Sequence, residues 1–173
     1  MPGSGKSTIV SALKTKGFEA LNLGDGVRAE AKRRNLEPTG DNLGKLMLEL
    51  REKNGPGAIA ALLTEPIKNS QSKVIIIDGI RSVAEIEVLK NVGSLKLLSI
   101  EATADTRYKF LSSRGRSDDP ATREKFEERD NRELGVGISE SIAISDETIS
   151  NSNITLDELT ELAYKVIEKW TDT

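Results

Sequence analysis

Apolar runs and helical periodicities alternate along the chain. Ile9, Val10 and Leu13 give one face of a helix predicted from Gly5 or Lys6 to about Lys16, with Gly17 as its stop. Phe18 to Leu23 reads as a short strand, and a basic helix with Arg28, Lys32, Arg33 and Arg34 follows it. Pro38-Thr39-Gly40 breaks that helix, and Leu43, Leu46, Met47 and Leu50 then repeat at i, i+3, i+4, i+7. After the Asn54-Gly55-Pro56-Gly57 turn, Ala58 to Leu63 reads as a buried helix. Val74 to Ile77 is a run of β-branched residues, the pattern of a strand covered on both faces. A helix from about Val83 to Val92 places Ile86 and Leu89 inward, and Leu95 to Ile100 is a further strand. Asp105 or Thr106 opens a helix, Arg114 to Pro120 is a polar loop, and Ala121 to Leu134 is a highly charged helix. Thr148 to Ser150 is a weak strand. The last helix carries Leu156, Leu159, Leu162, Val166, Ile167 and Trp170 on one stripe. Strands alternating with helices predict an α/β fold with a mainly parallel sheet.

Composition narrows the chemistry. The 173 residues suit one domain with a real core. There is no Cys and no His, which excludes disulfides, thiolate zinc sites and an imidazole base. Any reaction must run on carboxylates, Lys, Arg, hydroxyls, backbone amides and oxygen-bound metal. The net charge of −3 argues against bulk binding of nucleic acid or a membrane surface. No apolar run approaches the ~20 residues of a membrane span, and a cytoplasmic protein is expected.

Met1 to Thr8 contains most of the phosphate-loop motif G-x-x-x-x-G-K-[ST]. Pro2, Gly3, Ser4, Gly5, Lys6, Ser7 and Thr8 are the expected donor-nucleotide residues. Glycines let successive N–H groups turn toward phosphate oxygens at a helix N-terminus. Lys6 would bridge the β- and γ-phosphates of ATP, and the Ser7 hydroxyl would hold Mg2+. The competing reading is a Gly/Ser-rich arm that only resembles the loop. The motif's first glycine and the strand before it would precede Met1, so this chain is expected to be one strand short, by roughly 6–8 residues.

Asp78 ends the Val74–Ile77 run as a Walker B aspartate would, and is the second metal candidate. An aspartate after a strand can also be a plain turn residue. Arg81 follows, as an acceptor-phosphate contact or as an ion-pair partner of Glu85 at i+4. Asp25 and Arg28 follow the first predicted strand. Arg28 could bind an acceptor. Asp25 is either a general base for a hydroxyl acceptor or only a helix cap. Asn42, Lys45, Arg51 and Pro56-Gly57 either line the acceptor pocket or form a solvated face, the latter favoured for Lys45. Arg107, Arg114, Arg116, Arg123, Arg129 and Arg132 fall in one stretch that reads as a lid. Arg116 and Arg129 are the candidates for stabilising a transferring phosphoryl group, while Arg123 suits a helical ion pair. Asn151 is either a nucleobase contact or an ordinary loop residue.

With these residues assembled, the chain resembles the P-loop superfamily of adenylate kinase, cytidylate kinase and dephospho-CoA kinase. More closely, it resembles a family of archaeal predicted nucleotide kinases. The segments that carry the likeness are Met1 to Ser7, Gly24-Asp25-Gly26-Val27-Arg28, Glu37-Pro38-Thr39, Asn42-Leu43-Gly44, Glu49-Leu50-Arg51, Gly55-Pro56-Gly57-Ala58-Ile59-Ala60, Asp78-Gly79-Ile80-Arg81-Ser82 and Arg116-Ser117-Asp118-Asp119. The resemblance implies a P-loop NTPase fold with strand order 2-3-1-4-5, an acceptor-binding helical segment at about 25–68 and a lid at about 107–132. By similarity to adenylate kinase, Arg28 would bind a monophosphate. By similarity to dephospho-CoA kinase, Asp25 would be catalytic. The implied activity is transfer of the γ-phosphoryl group of ATP to a nucleotide or nucleotide-like small molecule. The alternative is a nucleotide-dependent switch acting with an RNA or protein partner.

Overall fold

The computed structural model describes residues 1–115 and 119–171. They form two compact units, one of residues 1–17 with 96–173 and one of residues 18–95.

The continuous unit opens with β1 (Glu19–Asn22) and α2 (Leu23–Arg33), then α3 (Gly40–Asn54), α4 (Ala58–Ala61), α5 (Thr64–Asn69), β2 (Ile75–Asp78) and α6 (Val83–Lys90). β1 and β2 pair in parallel, with Asn22 opposite Asp78 at their carboxyl ends. Leu23, Val27 and Ala31 from α2 meet Leu46 and Leu50 from α3, Ala58 to Ala60, Leu63 and Leu89 in one buried cluster. Burial of Leu23, Val27 and Ala31 on one face of α2, and of Leu46 and Leu50 from the predicted apolar face of α3, is what holds both as helices. Asn22, and not Asp25, caps α2: its Oδ1 accepts from Gly24 N–H and Asp25 N–H. Thr39 caps α3 and Ser82 caps α6.

The discontinuous unit contains α1 (Lys6–Thr15), β3 (Leu98–Glu101), α7 (Ala104–Arg114), α8 (Arg123–Val136), α9 (Ile138–Ala143), β4 (Glu147–Ser150) and α10 (Leu156–Thr171). β3 and β4 pair in parallel. Ile9 and Leu13 of α1 are buried, as are Leu159, Ala163 and Ile167 of α10, which packs on α1. Phe126 of α8 is buried and meets Tyr108 of α7 edge to face at 5.6 Å.

The architecture is α/β, with parallel strands flanked by helices. Its strands form two separate pairs, β1–β2 and β3–β4. These are the 2-3 and 4-5 neighbours of the implied order; the strand numbered 1 in that order has no counterpart among the described residues. Several sequence expectations need correction. The β2 residues are half-buried along their length, because β2 has a ladder partner on one side only, β1. Leu156 and Leu162 of the α10 stripe are exposed. The buried line is Leu159–Ala163–Ile167. The α5 and α9 helices were not expected. Arg116, a candidate in the polar stretch read from sequence, lies outside the described residues.

Candidate phosphate-loop site

The loop preceding α1 is built around two left-handed glycines, Gly3 at φ 79° and Gly5 at φ 101°. Both are needed for space as well as for φ. A Cβ on Gly3 would lie 2.7 Å from the Arg107 carbonyl oxygen, and one on Gly5 would lie 2.7 Å from Asn151 Nδ2. Ser4 between them is wholly buried. Pro2, Gly3 and Lys6 are half-buried, while Ser7 and Thr8 are exposed on the first turn of α1.

Two side chains from elsewhere in the same unit grip the loop by its carbonyls. Asn151 Nδ2 donates to Ser4 O at 3.0 Å, and Arg107 Nη1 donates to Pro2 O at 3.2 Å. Asn151 is 2% exposed, so the possible nucleobase contact is instead an internal clamp. A peptide group is planar, with C=O and N–H pointing in opposite directions. Fixing Ser4 C=O therefore aims Gly5 N–H the opposite way.

The electrostatics favour an anion. α1 has no side-chain N-cap and no acidic residue in its first turn, whereas α2, α3, α6, α7 and α8 are each capped by a side chain. The positive end of its dipole is thus left for a ligand. Lys6 Nζ donates to Met1 O at 2.6 Å and Ser4 Oγ at 3.3 Å, folded back over the loop. The Met1 amine is pushed down to about 5, first by burial and then by the nearby Lys6 and Arg107 charges. A cleft of about 380 Å³ opens beside Met1, lined in part by Glu101, Thr103, Arg107 and Ser150.

The remaining loop-side candidates separate cleanly. Arg107, read from sequence as part of a lid, is 6% exposed and forked onto Asp130. Arg114 is forked onto Asp119. Arg129 stands 4.0 Å from the same Asp119. Arg123 pairs with Asp105 at 2.7 Å and Glu127 at 3.3 Å, the ion-pair role expected for it.

The other unit holds the acceptor-side candidates at the carboxyl end of the β1–β2 pair. Asp78 Oδ2 accepts from Asn22 Nδ2 at 3.1 Å, so Asn22 links the strand end to the start of α2. Asp25 and Arg28 pair at 2.7 Å with both side chains more than half exposed. Arg81 N–H donates to Glu85, a carboxylate 1% exposed that also receives Arg51 at 3.2 Å. Arg51 therefore belongs to a buried ion pair, and its Nε is buried without a hydrogen-bond partner among the described residues. Lys45 is exposed, as favoured. Sequence reasoning missed the roles of Asn22 and Asp130, and it named Glu85 as a partner of Arg81 but not of Arg51. Only Asn22 left a local sign, an N-cap residue type just ahead of a helix.

Ser7 and Asp78 are hard oxygen donors, the type that Mg2+ prefers, and a magnesium ion in a phosphate site takes most of its ligands from water and phosphate. Among the described residues no group of three or more Asp or Glu side chains could hold a metal by itself. No helix there is long and apolar enough to cross a membrane.

Fold and loop together define a P-loop NTPase-like α/β protein, and residues 1–127 match the family model described as AAA domain, a match that supports nucleotide binding. The chain belongs to the UPF0200 family. It is 42% identical to a UPF0200 protein of Methanothrix thermoacetophila over 173 residues, covering 98% of this chain and 93% of that protein. It is 39% identical to one of Pyrococcus abyssi, covering 88% and 84%. Among solved structures, TT1252 from Thermus thermophilus superposes with a TM-score of 0.69 at 18% identity, covering 98% of this chain and 93% of that one. That likeness concerns the fold alone.

Proposed function

We propose that this chain is a nucleotide kinase that moves the γ-phosphoryl group of ATP onto a nucleotide or nucleotide-like small molecule. The observation that carries the reading is the loop itself: two left-handed glycines, an uncapped α1 and Lys6 folded back over the loop onto Met1 O and Ser4 Oγ. Loop amides and Lys6 take the donor phosphates; Lys6 exchanges its contacts with Met1 O and Ser4 Oγ for phosphate oxygens. Ser7 and Asp78 are the proposed Mg2+ residues, and the ion would neutralise phosphate charge. Arg28 and Arg81 are assigned to the acceptor, and Arg116 and Arg129 to the transferring group. An acceptor oxygen forms the new P–O bond as the bond between the γ-phosphorus and the β–γ bridging oxygen breaks, releasing ADP. With a hydroxyl acceptor the proton goes to Asp25; with a phosphate acceptor none needs to move.

The test is labelled ATP incubated with a panel of nucleoside monophosphates, nucleosides and dephospho-CoA. Transfer to one of them, lost in Lys6→Ala, is the expected result. Hydrolysis stimulated by RNA or protein, with no transfer to any acceptor, would overturn the kinase reading in favour of a switch.

A further inference from the structure

We propose that Arg107 and Asp130 form a strut that positions the phosphate loop, and that Asp130 is thereby a positioning residue for the donor nucleotide. The inference rests on the nucleotide-binding reading of that loop. Arg107 lies in the first turn of α7, buried. Its Nη1 donates to Asp130 Oδ1 at 2.7 Å and its Nη2 to Asp130 Oδ2 at 2.5 Å. The same Nη1 donates to Pro2 O at 3.2 Å. The guanidinium also lies 4.9 Å from the centre of the Phe126 ring. Asp130 and Phe126 both belong to α8, so that helix supplies the carboxylate that orients the fork and the ring that supports it.

A buried ion pair is poor evidence of stability by itself. What distinguishes this one is its third hydrogen bond. The Pro2 carbonyl shares a rigid peptide plane with Gly3 N–H, so holding that oxygen fixes the direction of the Gly3 amide. Gly3 is also packed against the Arg107 backbone, which leaves no room for the plane to move sideways. A bidentate fork has one orientation when its carboxylate is in place, and is free to rotate when it is not. Asp130 thus acts on the loop through Arg107, without touching the nucleotide.

The experiment compares Asp130→Asn and Asp130→Glu with the unaltered chain. Amide hydrogen exchange at Gly3 to Lys6 is measured against exchange in α10, together with the Kd for ATP with Mg2+ by calorimetry. Asp130→Asn is expected to speed loop exchange and to weaken ATP binding, each by about tenfold, the worth of one charged hydrogen bond. Exchange in α10 should not change, and Asp130→Glu, which keeps the charge, should recover part of both effects. Unchanged loop exchange overturns the strut, as does equal loosening of the loop and α10, the mark of a merely structural pair. If Asp130→Asn does not fold, Arg107→Lys reads the same exchange, because it keeps the charge but not the fork. If the unaltered chain binds no ATP, the nucleotide reading falls, while the exchange data still decide the strut.

Discussion

The phosphate loop and the acceptor-side turn are both short, glycine-rich segments at the start of a helix, yet their candidate ligand-binding groups are held differently. Around the loop, Ser4 is buried and its carbonyl is gripped by Asn151, far off in sequence; Pro2 is gripped by Arg107, itself locked to Asp130. Around the turn, the backbone is capped by Asn22, but the Asp25 and Arg28 side chains that would meet a ligand pair with each other, three residues apart and exposed. The first arrangement fixes peptide planes before a ligand arrives, which spares the ordering cost of binding. The second is a weak surface pair, easily exchanged for another partner. On the proposed kinase reading, a preformed site for a group common to all nucleotides would coexist with an adaptable one where substrates differ.

The largest expected effect comes from Gly3→Ala, which breaks the preformed side. A methyl group 2.7 Å from the Arg107 carbonyl, on a left-handed backbone, should cost about 2–4 kcal/mol in chemical denaturation. A loss below about 1 kcal/mol would mean that the loop yields. Next is Asn151→Ala, which removes the donor to Ser4 O and leaves a buried carbonyl unpaired. Denaturation should report about 1–3 kcal/mol lost, and ATP affinity should fall with it. Arg28→Ala sharpens the contrast from the other side. Stability should change by less than about 0.5 kcal/mol, since the pair is exposed. With a monophosphate acceptor, KM should rise about tenfold for the acceptor and not for ATP. The smallest effect concerns acid. Hydrogen bonds from Arg33 and Arg34 hold the Glu30 carboxyl down to about 2, from an ordinary 4.5. The folded state binds this proton less readily than the unfolded chain, so the contribution is present above about 4.5 and lost as pH falls toward 2. Tm measured across that range should fall less steeply in Glu30→Gln.

The loop was legible because phosphate binding is encoded locally: glycines for curvature and a lysine at fixed spacing. The same holds for α1, α3 and α6, whose apolar periodicity matches what they bury. The clamps were not legible. Nothing near Asn151 or Asp130 says that their partners are at residues 4 and 107, since such contacts exist only once the chain is folded. Arg107 shows how composition misleads: in sequence it is one arginine among several in a charged stretch, and only burial sets it apart. The α10 stripe misled for a related reason. Periodicity gave the correct period, but the buried line runs through Ala163, whose small side chain carries little hydrophobic signal.

The unit that carries the phosphate loop is discontinuous, with residues 18–95 interposed between its two parts. This has a consequence for synthesis. The continuous unit has all its contacts available once its last residues leave the ribosome. Asn151 follows Ser4 by 147 residues, and Leu159, against which Gly5 packs, comes later still. The nucleotide-binding motif is therefore translated long before the residues that give it its shape. A chain released before Asn151 would carry the motif without the geometry.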